Sequence, residues 1–285
     1  MSTQITTAFV NQFSSNVQML SQQMGSLLRN AVDTESVNGE KAFFDQVGSA
    51  AAVLRTTRHA DTPLIDTPHS RRMVTMSDYE YADLIDDQDK VRLLVDPTST
   101  YARAAASAMG RAMDDVIIAA ALGTSLTGKE GTTSTTLPAG QTIVSSSAGL
   151  TLAKLLQAKE ILDSADVDPS IQRYIACSPR QISNLLGDTT VTSSDYNTVK
   201  ALAQGELNQF VGFTFIVSNR LTLDTAERQV IAWAQDGIKL AVGKDATARI
   251  DERADKSYAT QVYYSMTVGA TRMEESKVVE ILCTE

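Results

Sequence analysis

Between Phe9 and Leu28 the apolar side chains recur at steps of three and four residues, at Phe9, Phe13, Val17, Leu20, Met24, Leu27 and Leu28, with Gln, Asn and Ser between them. This spacing predicts an amphipathic helix over 8–32. Its polar face carries almost no charge, which suits a helix lying on another chain as well as an ordinary surface helix. A longer apolar stretch follows in "YARAAASAMGRAMDDVIIAAALGT", Tyr101 to Thr124. Asp96 is placed to cap a helix there, Pro97 to occupy its first position and Gly123 to end it. At 1.5 Å per residue the rod is roughly 40 Å long. Arg103, Arg111, Asp114 and Asp115 lie within it, and each charge would cost a few kcal/mol near the centre of a bilayer, so it is not a membrane span. Its alanines let a sheet or another helix approach closely on one side.

Helical spacing returns through Leu152, Leu155, Leu156 and Leu162, and Ser178 with Pro179 opens a short helix in "PRQISNLLGD". "IQRYIACS", "FVGFTFIVS" and "RQVIAWAQ" read as buried strands, "DGIKLAVG" as a short helix, and "ATARIDERADKSYATQVYYSMTVGATRMEESKVVEIL" as long antiparallel strands. Short strands also fit the Gly, Ser and Thr loop between residues 124 and 149. Helices and strands mix without a regular βαβ repeat, so the class is α+β.

From Val53 to Val95 apolar periodicity fades. The text "VLRTTRHADTPLIDTPHSRRMVTMSDYEYADLIDDQDKVRLLV" reads as two extended strands joined by a long turn at "ADTPLIDTPHS". A two-stranded arm without its own hydrophobic face needs cover from other surfaces. Its charges separate: Arg55, Arg58, Arg71 and Arg72 outnumber Asp61 and Asp66, whereas Asp78, Glu80, Asp83, Asp86, Asp87 and Asp89 form an acidic block. A solvated loop accounts for this. So does a head-to-tail contact between copies, which makes Arg55, Arg58, Arg71, Arg72, Asp83, Asp86, Asp87 and Asp89 candidate intersubunit contacts.

Composition narrows the function. With 285 residues, 43% hydrophobic and 21% charged, the chain is of ordinary globular make-up. A net charge of −9 argues against a surface built to grip nucleic-acid phosphates. "MSTQITTAFVNQF" lacks the pattern of a secretory signal, so folding in the cytosol is expected, with Cys177 and Cys283 as free buried thiols. "GTSLTGKE", Gly123 to Glu130, fulfils G-x-x-x-x-G-K, but Glu130 stands where Ser or Thr would hold magnesium, and the motif follows a helix rather than a strand. His59 and His69, with Asp61 and Asp66, lack metal-ligand spacing, and "DLIDDQD" lacks the glycine turn of an EF-hand loop. No G-x-S-x-G occurs, and two histidines leave a Ser or Cys nucleophile without a ready base. No cofactor, metal or catalytic residue is expected.

Along the chain stand "DTP" at Asp61 to Pro63, "LIDDQD" at Leu84 to Asp89, "RAMDDVIIAAALG", "ALAQGELNQFVGFTFIVSNRL" and the tail from "DGIKLAVG" onwards. Their order, with that of the elements around them, resembles the major capsid proteins of tailed double-stranded DNA bacteriophages, the Hong Kong 97 fold, and most of all those of short-tailed phages. It implies an N-terminal arm over 1–50, an extended loop over 51–95, a peripheral domain with a spine helix over 96–166, an axial domain over 167–250, and C-terminal strands over 251–285 that complete the peripheral domain. It further implies hexamers and pentamers of this chain forming an icosahedral virion shell. That shell would be assembled in the host cytoplasm around double-stranded DNA held without sequence-specific binding, with no membrane involved. The implied partners are a portal protein and a separate scaffolding protein, with a decoration protein as an optional addition. Lys to Asn cross-links, formed in some relatives, are not expected, because Lys90 is the only lysine between Val53 and Val95. An encapsulin-type nanocompartment shell and a cytosolic α+β enzyme are the rival readings.

Overall fold

A computed structural model of the chain describes residues 21–59, 61–86, 98–187 and 209–285. Its first strands are β1 (Asp33–Ser36), β2 (Lys41–Val47), β3 (His69–Thr75), β4 (Ser77–Ile85), β5 (Ser125–Thr127), β6 (Thr133–Thr135) and β7 (Thr142–Ile143). They are followed by β8 (Arg173–Cys177), β9 (Gln209–Phe210), β10 (Phe213–Val217), β11 (Leu223–Asp224), β12 (Glu227–Ala234), β13 (Ile238–Arg253), β14 (Ala259–Arg272) and β15 (Val278–Thr284). The helices are α1 (Thr98–Leu122), α2 (Leu152–Ser164) and α3 (Pro179–Gly187). The strands form sheets in the orders β1-β13-β14-β4, β7-β15-β12-β8-β10-β9 and β2-β3-β5-β6.

Helix α1 is the predicted rod, 25 residues and so about 37 Å long. Ala105, Met109, Met113, Ile117 and Ala121 recur at four-residue steps and are all buried, while Tyr101, Arg103, Ala106, Asp115 and Ala119 look outward. The inner row packs on Leu240, Met266 and Val268 of the first sheet and on Ile231, Trp233 and Val278 of the second. Gly123 ends the helix, its N–H donating to the Ala119 carbonyl at 2.8 Å. Asp96 and Pro97, the expected start, lie outside the described residues.

The second sheet is buried on both faces. One side meets α1; the other meets α2 and α3 through Leu155, Leu162 and Leu185. Thr151 caps α2, accepting from the Lys154 N–H. The Lys154 ammonium is itself buried and donates to the carbonyls of Ser145, Ala148 and Leu282 at 2.8, 2.8 and 2.9 Å, which pins α2 to β15. Burial holds its pKa below the usual lysine value. Cys177 and Cys283 are free and buried in the same layer, and desolvation pushes their thiols up to about 12 and about 11.

Four expectations change. The helix over 8–32 falls largely outside the described residues, and within 21–32 the chain is irregular apart from a single 3-10 turn at Arg29–Ala31. Tertiary hydrogen bonds, described below, take the backbone groups that a helix would use. "DGIKLAVG" is a 3-10 turn leading into β13, because Ile238, Leu240 and Val242 alternate into the core with a period of two. The two hairpin strands are β2 and β3, beginning at Lys41; "SDYEYADLI" is not part of the hairpin but pairs with β14 as β4. Finally, residues 251–285 divide. β14 completes the first sheet, whereas β15, with Val279, Ile281 and Cys283 buried beside α2, joins the second.

Candidate interaction surface

The hairpin rises from a small core of its own, where Ala42, Phe44, Val74 and Met76 pack against Ala241 and Met273. Alternation creates this footing: Ala42 and Phe44 face inward, Phe43 and Asp45 outward. Arg72 is buried at the foot and paired with Glu275 at 2.6 Å, while Arg272, also buried, donates to the carbonyls of Ala121 and Gly123 at 2.8 Å. The angle between hairpin and body is therefore set by buried charge as well as by packing. Arg71 projects from the other face, paired with Asp45 at 2.5 Å and lying 5.4 Å from the centre of the Phe43 ring. Hydrogen bonds and charge from Asp45 hold the Arg71 pKa above its usual value, and Arg71 in turn depresses that of Asp45.

Above the Gly48 N–H, which donates to the Pro68 carbonyl at 2.8 Å, the ladder stops. The described residues from 49 to 67 carry neither strand nor helix, and all but one are exposed. Leu64 is fully exposed, Leu54 is 84% exposed and Val53 61%, and Ile65 is half exposed. Four large apolar side chains on one loop without secondary structure are thus left wholly or partly in water, the kind of surface that marks interaction sites. Arg55 reaches only the Thr57 carbonyl, and Arg58 has no hydrogen-bond or ion-pair partner among the described residues.

The acidic candidates lie elsewhere. Asp83 sits on β4, half-buried, accepting from the Leu84 N–H at 2.9 Å, and Asp86 is exposed just beyond that strand. Asp78 and Glu80 accept from Thr267 and Tyr263 of β14. Asp87 and Asp89 lie outside the described residues. No ion pair among the described residues joins these acids to Arg55, Arg58, Arg71 or Arg72. Arg72 leaves the set of surface contacts, because it is buried and answered by Glu275 of its own chain. Sequence reasoning missed Leu54, Leu64 and Ile65, although "TPLIDTP" places two large apolar residues between prolines in an otherwise polar stretch.

Away from the hairpin in sequence, residues 22–28 cross α1 as a strap. Asp114 is buried and accepts from the Gln23 and Ser26 side chains at 2.5 Å and from the Leu27 and Leu28 N–H groups at 3.1 Å. Arg111 donates to Gln22 and to the Gln23 carbonyl. The strap passes so close that a Cβ at Gly110 would collide with the backbone of Gly25 and Ser26. Just beyond it, Trp233 donates to the Ala31 carbonyl at 2.8 Å, and Arg29 pairs with Asp245. "GTSLTGKE" is the end of α1 followed by β5 and a turn with Gly128 at φ +92°, not a phosphate-binding strand, loop and helix. Among the described residues no three His, Cys, Asp or Glu side chains gather as metal ligands, and no helix is long and apolar enough to cross a membrane.

A sequence profile of phage capsid proteins matches residues 5–285. Comparison with curated proteins finds no match. Among solved structures, the chain is similar to the capsid of the cyanophage P-SCSP1u with a TM-score of 0.78 and 18% identity, covering 100% of this chain and 96% of that one. It is similar to the capsid of Ralstonia phage GP4 with a TM-score of 0.75 and 11% identity, over 97% and 95% of the two chains. For the capsid of an empty GTA particle with C5 symmetry the values are 0.72 and 12%, over 100% and 98%. At these identities the likeness speaks for the fold, which is the α+β Hong Kong 97-type capsid fold.

Proposed function

The chain belongs to the phage capsid protein family, and on that premise we propose that it is a major capsid protein whose copies assemble into hexamers and pentamers and close an icosahedral shell around double-stranded DNA. The observation that carries this reading is the loop from 49 to 67. A monomer gains nothing from holding Leu54, Leu64 and Ile65 in water, whereas a shell in which each loop lies on the next subunit buries them in every copy. Arg55, Arg58 and Arg71 then face acidic groups of the neighbour, with Asp83 and Asp86 as the candidates. Coulomb attraction between them steers and registers a contact that burial stabilises. A net charge of −9 suits a wall that must release the genome it contains.

In this assembly α1 and the β1-β13-β14-β4 sheet form the peripheral part, and the β7-β15-β12-β8-β10-β9 sheet with α2 and α3 forms the axial part around the capsomer axes. A portal protein and a separate scaffolding protein are the partners that the family resemblance brings, a decoration protein being an optional addition. Electron microscopy of the purified chain, expressed with and without the neighbouring phage assembly genes, tests the reading. Capsomer rings or polyhedral shells are expected. Monomers under both conditions would overturn it, and shells filled with an enzyme instead of DNA would overturn the genome-enclosing role.

A further inference from the structure

Pairing between β1 and β13 ends at Ser36 with Val242. Beyond that point β13 continues to Arg253 with β14 on one flank, and on the other flank no strand lies beside it among the described residues. The register against β14 is irregular between Val242 and Thr247 and regular from Thr247 to Arg253. The regular part, "TARIDER", is exposed almost throughout, with Ile250 half exposed. Open edges are ordinarily blunted by bulges or charges, because their free N–H and C=O groups recruit another strand. Here the bulges precede the regular part, and its four charges are of both signs, so they oppose a second strand in some registers and favour it in another. Arg249 and Asp251, on one face, have no hydrogen bond or ion pair among the described residues.

We propose that Thr247–Arg253 pairs antiparallel with the same residues of a second copy across a two-fold axis normal to the sheet. Such an axis must centre on a residue, since directly opposed residues share a face. Centred on Ile250, it sets Ile250 against Ile250, Arg249 against Asp251 in both directions, Ala248 against Glu252 and Thr247 against Arg253. Centred on Arg249 it would oppose two arginines, and centred on Asp251 it would oppose two aspartates and also Arg249 with Arg253. Like charges directly opposite are unfavourable and unlike charges favourable, so the charge pattern selects one register. The product is a sheet continuous through both copies, in the order β4-β14-β13-β13-β14-β4. The inference rests on the shell-subunit reading, because a closed icosahedral shell supplies the two-fold-related neighbours.

Ile250→Cys shells, oxidised with copper phenanthroline and run on a non-reducing gel, test it. Opposed residues in an antiparallel pair have Cα atoms about 4.5–5.5 Å apart, within disulfide range, so a dimer band is expected. Ala248→Cys is the control. Its counterpart lies four residues away along the pair, roughly 13 Å, and should not cross-link. Cys177 and Cys283 are buried and stay silent. In the Ile250→Cys background, Arg249→Asp or Asp251→Arg alone should lower the dimer yield about fivefold, and the two together should restore it. Intact shells without an Ile250→Cys dimer, equal cross-linking at Ala248→Cys, capture of a different polypeptide in place of the dimer, or no recovery in the double swap would each overturn the pairing. Absence of shells from the unmodified chain would instead overturn the function proposed above.

Discussion

The strap at 22–28 and the loop at 49–67 both lack strand and α-helix, yet the chain treats them in opposite ways. The strap is fastened from inside the chain: Asp114 receives two side chains and two backbone N–H groups, Arg111 adds two donations, and Gly110 makes room. The loop has a closing hydrogen bond at Gly48 and Pro68 and little else, and its largest side chains are in water. Irregular backbone is fixed where a buried group of the same chain answers it; in the proposed shell the loop is answered by another copy instead. On that reading the two segments divide folding from assembly.

The largest effect is expected from unfastening the strap. Asp114→Ala leaves the buried Leu28 N–H and three part-buried donors, the Leu27 N–H and the Gln23 and Ser26 side chains, without their acceptor. A loss of about 3–4 kcal/mol is expected, read as a lowered urea midpoint. Gly110→Val should reach the same end by steric ejection, with the backbone of Gly25 and Ser26 forced off α1. If either variant keeps the parental midpoint, the strap is not held as described.

A smaller effect is expected from the pair that follows the strap. The hydrogen bond from Arg29 holds the Asp245 carboxyl below its usual value against the opposing effect of burial, and the same bond raises the Arg29 pKa. Because the folded pKa of Asp245 is depressed, its contribution is fully present above the ordinary value of 3.8 and is lost as pH falls through the lower folded value. Both partners are more than a third exposed, so solvent screening limits the pair to roughly 0.5 kcal/mol. Asp245→Asn should therefore flatten the acid limb of stability slightly and leave neutral stability within about 0.5 kcal/mol. An acid limb identical to that of the parent would assign the shift to a different carboxylate.

Much of this architecture is legible in the residues. The α1 rod follows from its helical run and Gly123, α2 and α3 from leucine spacing and the Ser178–Pro179 start, and β8, β10 and β12 from short apolar runs. The strap is not legible. Met24, Leu27 and Leu28 keep helical spacing, and what overrides it is Asp114, more than eighty positions away in the chain. Charge was legible in amount but not in destination. Arg71 and Arg72 are neighbours, yet strand alternation sends one to Asp45 on the surface and the other to Glu275 in the core. No pattern within "HSRRMVT" shows which, because the face is chosen by β2 and by the C-terminal strands. Leu64 and Ile65 mislead in the other direction: hydrophobicity suggests a core, and the fold provides none for them.

That last point yields the smallest expected effect on folding. Replacing Leu54 and Leu64 by Ser removes apolar surface that the monomer scarcely buries, so the urea midpoint should move by less than the equivalent of about 0.5 kcal/mol. Assembly should respond quite differently. Burying two leucines contributes roughly 1.5–3 kcal/mol each, and a closed shell repeats that contact at every subunit, so a change invisible in the monomer should abolish shells in sedimentation at matched concentration. The pairing of the two measurements is what tests the comparison. A large fall in monomer stability would mean that the loop folds back on its own chain, and normal shells from a stable monomer would mean that the contact between copies lies elsewhere. Only an unchanged midpoint together with lost assembly fits a chain whose strap belongs to folding and whose loop belongs to its neighbour.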